Sequence, residues 1–231
     1  MTKKVFYTAI GRFERRTNGC GRCCPVVVLG GAEYMMDLQE MVIWTCLNWR
    51  IARREEIGSL YLNACASSSF ISDRTWETCL ERLLVRGLIV KGSGESEYDA
   101  LYDLLSALYI IPTDGNIFLR LVSFCKLTIK NRVPFSAAGK LFKKDARTAR
   151  ERQVMQLAKQ ALLSTAEIIK CVENDIRHLP DDNAILEGLY GDQDTTSDNI
   201  TSMVKSSASS ESVTLAVANL YLRQQIIFER I

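Results

Sequence analysis

The sequence predicts a mostly α-helical protein with some β-structure, an α+β fold, on three observations. The first 36 residues are rich in β-forming side chains, and a turn sequence, TNG, interrupts them. From residue 37 onward, apolar residues recur at helical spacing in several separate stretches. Apolar residues make up 47% of the chain and charged residues 24%, which is ordinary for a protein with a packed core.

The N-terminal region, residues 1–36, predicts a β-hairpin. The stretches KKVFYTAIGRF (3–13) and PVVVLGGAEYMM (25–36) have the composition of strands, and ERRTNGCGRCC between them has turn chemistry. We therefore expect one hairpin ahead of the helical part of the chain.

Three cysteines cluster in the predicted turn. Cys20 and Cys23 have the C-x-x-C spacing of a metal or redox pair, and Cys24 follows them. A structural zinc site needs four ligands, and the only histidine, His178, lies far away in sequence. We predict a simple turn with no metal and no cofactor, and a redox or metal role for these cysteines stays open.

The sequence does not indicate an enzyme. A Ser-His-Asp or Cys-His site would have to use His178, and no G-x-S-x-G sequence occurs. GK at 139–140 and GSG at 92–94 both lack residues that a phosphate-binding loop or a dinucleotide fingerprint requires.

Three helices are predicted after the hairpin. Asp37 is a candidate cap for DLQEMVIWTCLNWR, and IARREEIGSLYLNACA follows as the second helix. Ser72 can cap the third helix, DRTWETCLERLLVRG, which Gly87 ends. LIVKGSG then predicts a short strand with a glycine turn, ESEYDALYDLLSAL a helix, and LYIIPT a returning strand.

The stretch ISDRTWETCLERLLVRGLIVKGSG resembles the winged helix-turn-helix domain of bacterial transcription regulators, over about residues 37–113. The likeness rests on a capped helix, the pattern L-x-x-x-G-L-I, and then a basic residue with glycines. In that family the third helix enters the major groove and the wing contacts the DNA backbone. The resemblance implies a reading helix at 72–86 and a wing at 88–97. The DNA-contacting residues that it implies are Arg74, Thr75, Thr78, Arg82 and Lys91.

The same domain also serves as a protein-interaction module, which gives an alternative interpretation. Glu77 and Glu81 place negative charge on or beside the predicted reading face, where phosphates would repel it. The alternative is an interaction or assembly factor that does not read a DNA sequence.

Residues 114–178 predict a helical region. Its stretch VPFSAAGKLFKKDARTARERQ is the densest basic sequence in the protein, and we predict phosphate contacts from Lys143, Lys144 and Arg147. A solvated helix face is the alternative. VMQLAKQALLSTAEIIKCV (154–172) predicts an amphipathic helix with a heptad-like apolar seam.

The C-terminal part predicts a linker and a last helix. Residues 179–212 are acidic and then serine-rich, which is typical of a flexible linker. The apolar helix at 213–231 needs a partner surface. Together with the seam at 154–172 it predicts a homodimer formed through C-terminal helices.

Charge is distributed unevenly along the chain. Residues 1–155 carry 23 Lys/Arg and 16 Asp/Glu, whereas residues 156–231 carry 6 and 11. No apolar run approaches the ~20 residues of a membrane span, and no signal sequence is evident, so we expect a cytoplasmic protein. The leading hypothesis is a transcription regulator that binds double-stranded DNA as a homodimer.

Overall fold

The computed structural model describes residues 3–17, 23–66, 74–113, 147–192 and 194–230. The strands are β1 (Lys4–Ala9), β2 (Arg12–Thr17), β3 (Cys23–Leu29), β4 (Ala32–Met35), β5 (Ala52–Arg53), β6 (Ile89–Gly94), β7 (Tyr109–Pro112), β8 (Leu163–Ser164) and β9 (Ile226–Glu229). The helices are α1 (Leu38–Leu47), α2 (Arg54–Ala66), α3 (Trp76–Val85), α4 (Glu97–Leu105), α5 (Ala149–Gln160), α6 (Thr165–Glu173), α7 (Asp182–Tyr190), α8 (Ile200–Met203) and α9 (Ser210–Leu222). The fold is mixed, with several helices and small sheets.

The chain contains the same structural unit twice. Unit 1 (residues 4–94) runs β1–α1–β5–α2–α3–β6, and unit 2 (residues 109–229) runs β7–α5–β8–α6–α9–β9. Each unit has a three-stranded sheet with its first strand in the centre, in the orders β5-β1-β6 and β8-β7-β9, while β2, β3 and β4 form a separate sheet. The registers also coincide, because Phe6 pairs with Arg53 and Gly92 where Tyr109 pairs with Ser164 and Glu229.

The first helix of each unit begins with the same local device. The Asp37 side chain accepts from the backbone N–H of Glu40, whose side chain accepts in return from the backbone of Asp37, and Thr148 and Glu151 form the same capping box. Asp37 precedes β5 by as many residues as Thr148 precedes β8. The predicted Asp37 cap is thus confirmed.

The third helix of each unit also ends alike. Gly87 and Gln224 have positive φ angles of 71° and 59°. The next backbone N–H donates to Leu83 O at 2.9 Å after α3 and to Leu220 O at 2.9 Å after α9. This is the Schellman pattern, which turns the chain back into the closing strand.

An ion pair repeats between the two ends just described. Arg86, at the end of α3, donates to Glu40 at 2.8 Å, and Arg223, at the end of α9, donates to Glu151 at 3.3 Å. Both carboxylates are buried, with 1% of each residue exposed. Since a buried charge requires a partner, each pair ties the third helix of its unit to the first.

The sheet of unit 1 is covered on both faces. Tyr7 and Ile89 point into the core formed with α1 to α3, while Gly92 and Gly94 lie under α4. A Cβ atom on Gly92 would lie 2.2 Å from Leu104 N, and one on Gly94 would lie 2.4 Å from Ala100 N. These glycines therefore let a helix pack directly on β6.

The wing predicted at 88–97 is wrong. β6 is followed by α4, which Ser96 caps, so no hairpin forms after the glycines. The predicted returning strand is β7, which pairs with β8 and β9 in unit 2. The antiparallel neighbour of β6 is β1 instead. The third helix also starts later than predicted, because Thr75 and not Ser72 caps it.

The N-terminal hairpin is confirmed only between β2 and β3, where Arg12 pairs with Val28 and Thr17 pairs with Cys23. Gly11, with φ at 86°, separates β1 from β2, and Gly30 and Gly31 separate β3 from β4. β1 leaves the hairpin and becomes the central strand of unit 1, so residues 1–36 do not form one separate element.

The linker predicted at 179–212 is also wrong. It contains α7 and α8, whose Leu189 and Ile200 are buried. Lys170 on α6 holds the chain between these helices through Asp192 at 2.6 Å. The polar sequence is therefore a surface-facing insertion with a few apolar anchors.

The single helix predicted at 154–172 is divided by β8 into α5 and α6. Its seam is buried within the chain, and so is the last helix, whose chain continues into β9. The buried seam and helix residues are Val154, Leu157, Ile168, Val172, Val213, Val217 and Leu220. The apolar surface from which a homodimer was predicted is thus used inside one chain.

Candidate nucleic-acid interface

The two arginines that the family resemblance implies at the reading face are bound by carboxylates at the start of α1. Arg74 Nη2 lies 2.6 Å from Asp37 Oδ2, and Arg82 Nε lies 2.8 Å from Glu40 Oε1. Burial opposes ionisation of Asp37, but the backbone N–H of Glu40 and the Arg74 guanidinium outweigh it and hold the pKa of Asp37 below its usual value. Both arginines therefore connect α3 to α1.

The predicted threonines serve the local structure of α3. Thr75 caps the helix by accepting from the backbone N–H of Thr78 at 3.3 Å, and the two hydroxyl oxygens lie 3.1 Å apart. Glu81 and Val85 lie further along the outward face of α3, and 89% of the surface of Val85 is exposed. This face offers negative charge and an apolar side chain rather than free donors.

The remaining predicted contacts lie in different places. Lys91 is exposed on β6, directly opposite Tyr7 of β1. Arg147 donates to the side chain of Gln225, close to β9. Lys143 and Lys144 lie outside the described residues.

Four basic side chains meet around an open cavity of about 430 Å³, which we call the basic groove. Its lining residues are Lys3, Lys4, Val5, Tyr7, Arg53, Arg54 and Glu55. The pairing of β1 with β5 brings them together, because it places Phe6 opposite Arg53. Lys91 lies on β6, which pairs with the other edge of β1, and it shares a sheet face with Tyr7, so it adds a further cation there.

The two groove arginines also contact aromatic rings. The Arg53 guanidinium lies 5.8 Å from the Phe6 ring centroid and is paired with Glu97, while that of Arg54 lies 6.0 Å from the ring of Trp76. Among the described residues, no carboxylate lies within ion-pair distance of Lys3, Lys4 or Lys91. The groove therefore keeps most of its positive charge.

Unit 2 provides an internal comparison for these charges. Counted from the shared strand registers, the equivalents of Lys3, Lys4, Arg53, Arg54 and Lys91 are Ser106, Ala107, Ser164, Thr165 and Phe228. All are uncharged, and all except Ala107 are buried. The fold of the unit can therefore form without cations at these positions.

A second basic area lies on unit 2. Arg152 and Arg177 line a cavity of about 410 Å³ together with Gln153 and Gln156 of α5. Arg177 is paired with Asp175 at 2.9 Å, so this area carries less free charge than the basic groove.

The sequence predicted Lys91, which lies beside the basic groove, but missed the residues that line it. KK at 3–4 and RR at 53–54 are visible as basic pairs, yet they lie far apart in the chain. Only the pairing of β1 with β5 makes them neighbours, and helical or strand periodicity carries no information on that pairing.

The described residues contain no group of three or more His, Cys, Asp and Glu side chains placed to hold a metal ion. Cys20 lies outside that part of the chain. Comparison with protein families, curated proteins and solved structures finds no match to this chain.

Proposed function

We propose that this protein binds double-stranded DNA and that the phosphate backbone enters the basic groove of unit 1. The internal comparison carries the proposal: five basic positions of unit 1 are uncharged in unit 2, although the two units share strand order and register. Charges that the fold does not need are available for a ligand.

The chemistry of the groove suits a polyanion. Lysine and arginine side chains that neutralise phosphates release the counterions condensed on DNA, which supplies sequence-independent affinity. Glu55 is the one carboxylate among the lining residues, and Glu97 offsets Arg53. The exposed lysines and Arg54 thus give a local excess of positive charge in a concave surface.

The proposal keeps the likeness to winged helix-turn-helix domains but places the DNA contacts in the basic groove instead of on the third helix and the wing. The three helices of unit 1 are followed by a strand, as in that family, and β1 lies where the second wing strand would pair. Regulation of transcription is one use of such a protein, and it remains a prediction.

Binding of a labelled duplex, measured by fluorescence anisotropy at about 50 to 300 mM salt, tests the proposal. The triple variant Lys3→Gln, Lys4→Gln, Arg54→Gln should weaken binding and reduce the slope of log K against log salt. The slope should fall by about 0.9 for each phosphate that the variant no longer neutralises.

The matched control is Arg152→Gln, Lys159→Gln, Arg177→Gln, which removes the same amount of charge from unit 2. It should leave the slope close to that of the parent. Equal weakening by both triples would show that net charge, not the groove, drives binding. A parent protein that binds no duplex at low salt would overturn the proposal, and the interaction-module interpretation would then be tested.

A further inference from the structure

We infer that the protein binds duplex DNA of any sequence, because, among the residues that the structure describes, neither unit presents a surface suited to reading bases. The inference rests on the proposed function and adds that binding does not depend on sequence, because the protein contacts only the phosphodiester backbone of the duplex. Four features of the structure support it.

Arg74, just before α3, and Arg82, on α3, are bound to other partners. Arg74 and Arg82 bind Asp37 and Glu40, and only two percent of the Glu40 side chain is exposed. If Arg82 turned to a guanine, Glu40 would lose one of the two ion-pair partners that the described residues give it. Base reading by Arg74 and Arg82 would therefore break two ion pairs that join the α3 region to the start of α1.

The outward face of α3 offers few other groups for reading bases. Thr75 and Thr78 contact each other through their hydroxyls. Glu81 would meet the phosphates on either side of a major groove and be repelled by them. Val85 can contact a thymine methyl group only, which gives little discrimination.

The equivalent helix of unit 2 is mostly buried. α9 packs Val213, Val217 and Leu220 into the core, and its exposed positions include Leu215 and Leu222. Its polar outward positions are Glu211, Ser212 and Asn219. If α9 entered the major groove of DNA, the two exposed leucines would be dehydrated against polar base edges. This helix is therefore poorly suited to DNA binding.

The groove residues are suited to charge neutralisation rather than base recognition. Lysine is a compact charge on a flexible stem and lacks the planar fork that arginine uses for guanine. Arg54 has that fork, but its guanidinium is beside the Trp76 ring. Contacts of this kind hold a duplex without distinguishing its sequence.

The experiment is a selection of duplexes from a random library with the full chain, followed by competition between selected and unselected duplexes. We expect no consensus and competition within about twofold, whereas sequence-specific proteins prefer their sites by roughly a thousandfold or more. Convergence on a motif with such a preference would overturn this inference and leave the proposed function intact. Failure to retain any duplex would instead overturn the proposed function.

Variants separate the contribution of α3 from that of the groove. Arg74→Ala, compared at equal folded fraction, should change affinity less than twofold and alter no sequence preference, whereas Arg54→Ala should weaken binding to all duplexes by roughly three- to tenfold. Glu77→Gln with Glu81→Gln should strengthen binding to all duplexes by one common factor. A preference that changes at one base pair in Arg74→Ala would show that α3 reads DNA.

Discussion

The side-chain oxygens of Thr8 on β1 and Tyr221 on α9 lie 2.8 Å apart in the core, where the two units meet. The Tyr221 hydroxyl also donates to Ala9 O at 2.9 Å and accepts from the backbone N–H of Trp49 at 2.9 Å. Trp49 has a positive φ of 55°, and its indole donates to Ile226 O at 3.1 Å. One phenol group thus fixes a strained residue of unit 1 against the last helix of unit 2.

We therefore expect Tyr221→Phe to lower the free energy of unfolding by about 1–3 kcal/mol, because it leaves the backbone N–H of Trp49 without its acceptor and Ala9 O without the donor from Tyr221. Urea denaturation followed by circular dichroism measures this. Tyr34→Phe is the control, since its hydroxyl makes no hydrogen bond to a described residue, and it should change stability by less than about 0.5 kcal/mol. Equal effects of the two variants would show that the hydroxyl does not join the units.

Gly92→Ala should destabilise the protein by about 1–3 kcal/mol or more, because the added Cβ would overlap the backbone of α4. The contact is with backbone atoms, 2.2 Å from Leu104 N, so no side chain can move aside. Thermal unfolding provides the measurement. Ser93→Ala, at the exposed neighbouring position, should have almost no effect, and a mild Gly92→Ala variant would mean that α4 does not lie on β6.

The repeated ion pair predicts coupling between Arg86 and Glu40. A double-mutant cycle with Arg86→Met and Glu40→Gln should give a coupling energy of about 1–3 kcal/mol, since Glu40 is buried and charged. The same cycle on Arg223 and Glu151, at the longer distance of 3.3 Å, should give a smaller value. A coupling energy near zero in unit 1 would contradict the structure.

Acid should weaken the anchor between α7 and α8. Hydrogen bonds from Lys170 and then Thr195 lower the pKa of Asp192 from 3.8 to about 2. A carboxyl whose pKa is lower in the folded state contributes stability that is present above pH 3.8 and disappears as the pH falls toward about 2. Unfolding measured across this range should show the decrease in the parent and a smaller decrease in Asp192→Asn. Asp198→Asn, at an exposed position nearby, should retain the parental pH profile.

Structural features that depend on residues close together in the sequence could be predicted. Asp37 and Glu40 stand three residues apart, so the capping box of α1 could be predicted from sequence alone. Glycines were ambiguous, because Gly92 and Gly94 look the same in sequence whether they form a wing tip or lie under a helix. The distinction depends on what packs against them.

Relationships between distant residues were not readable. The duplication is not evident in the sequence because the units share geometry rather than side chains: Phe6 corresponds to Tyr109, and Arg54 to Thr165. Identical residues such as Glu40 and Glu151 are too few to reveal a repeat. The basic groove depends on the long-range pairing of β1 with β5. The basic residues at 3–4 and 53–54 are visible in the sequence, but their proximity could not be predicted from it.

The central position of β1 and β7 in the sheets of the two units has a consequence for folding. β1 leaves the ribosome before β5 and β6 and cannot pair on both edges until β6 has been made, and β7 cannot pair on both edges until β9 has been made. Such long-range pairing gives a high contact order, which slows folding. Until β9 arrives, β7 has an unpaired edge to which strands of other nascent chains can add. Chains that end before Ile226 should therefore aggregate rather than accumulate as a folded unit 1.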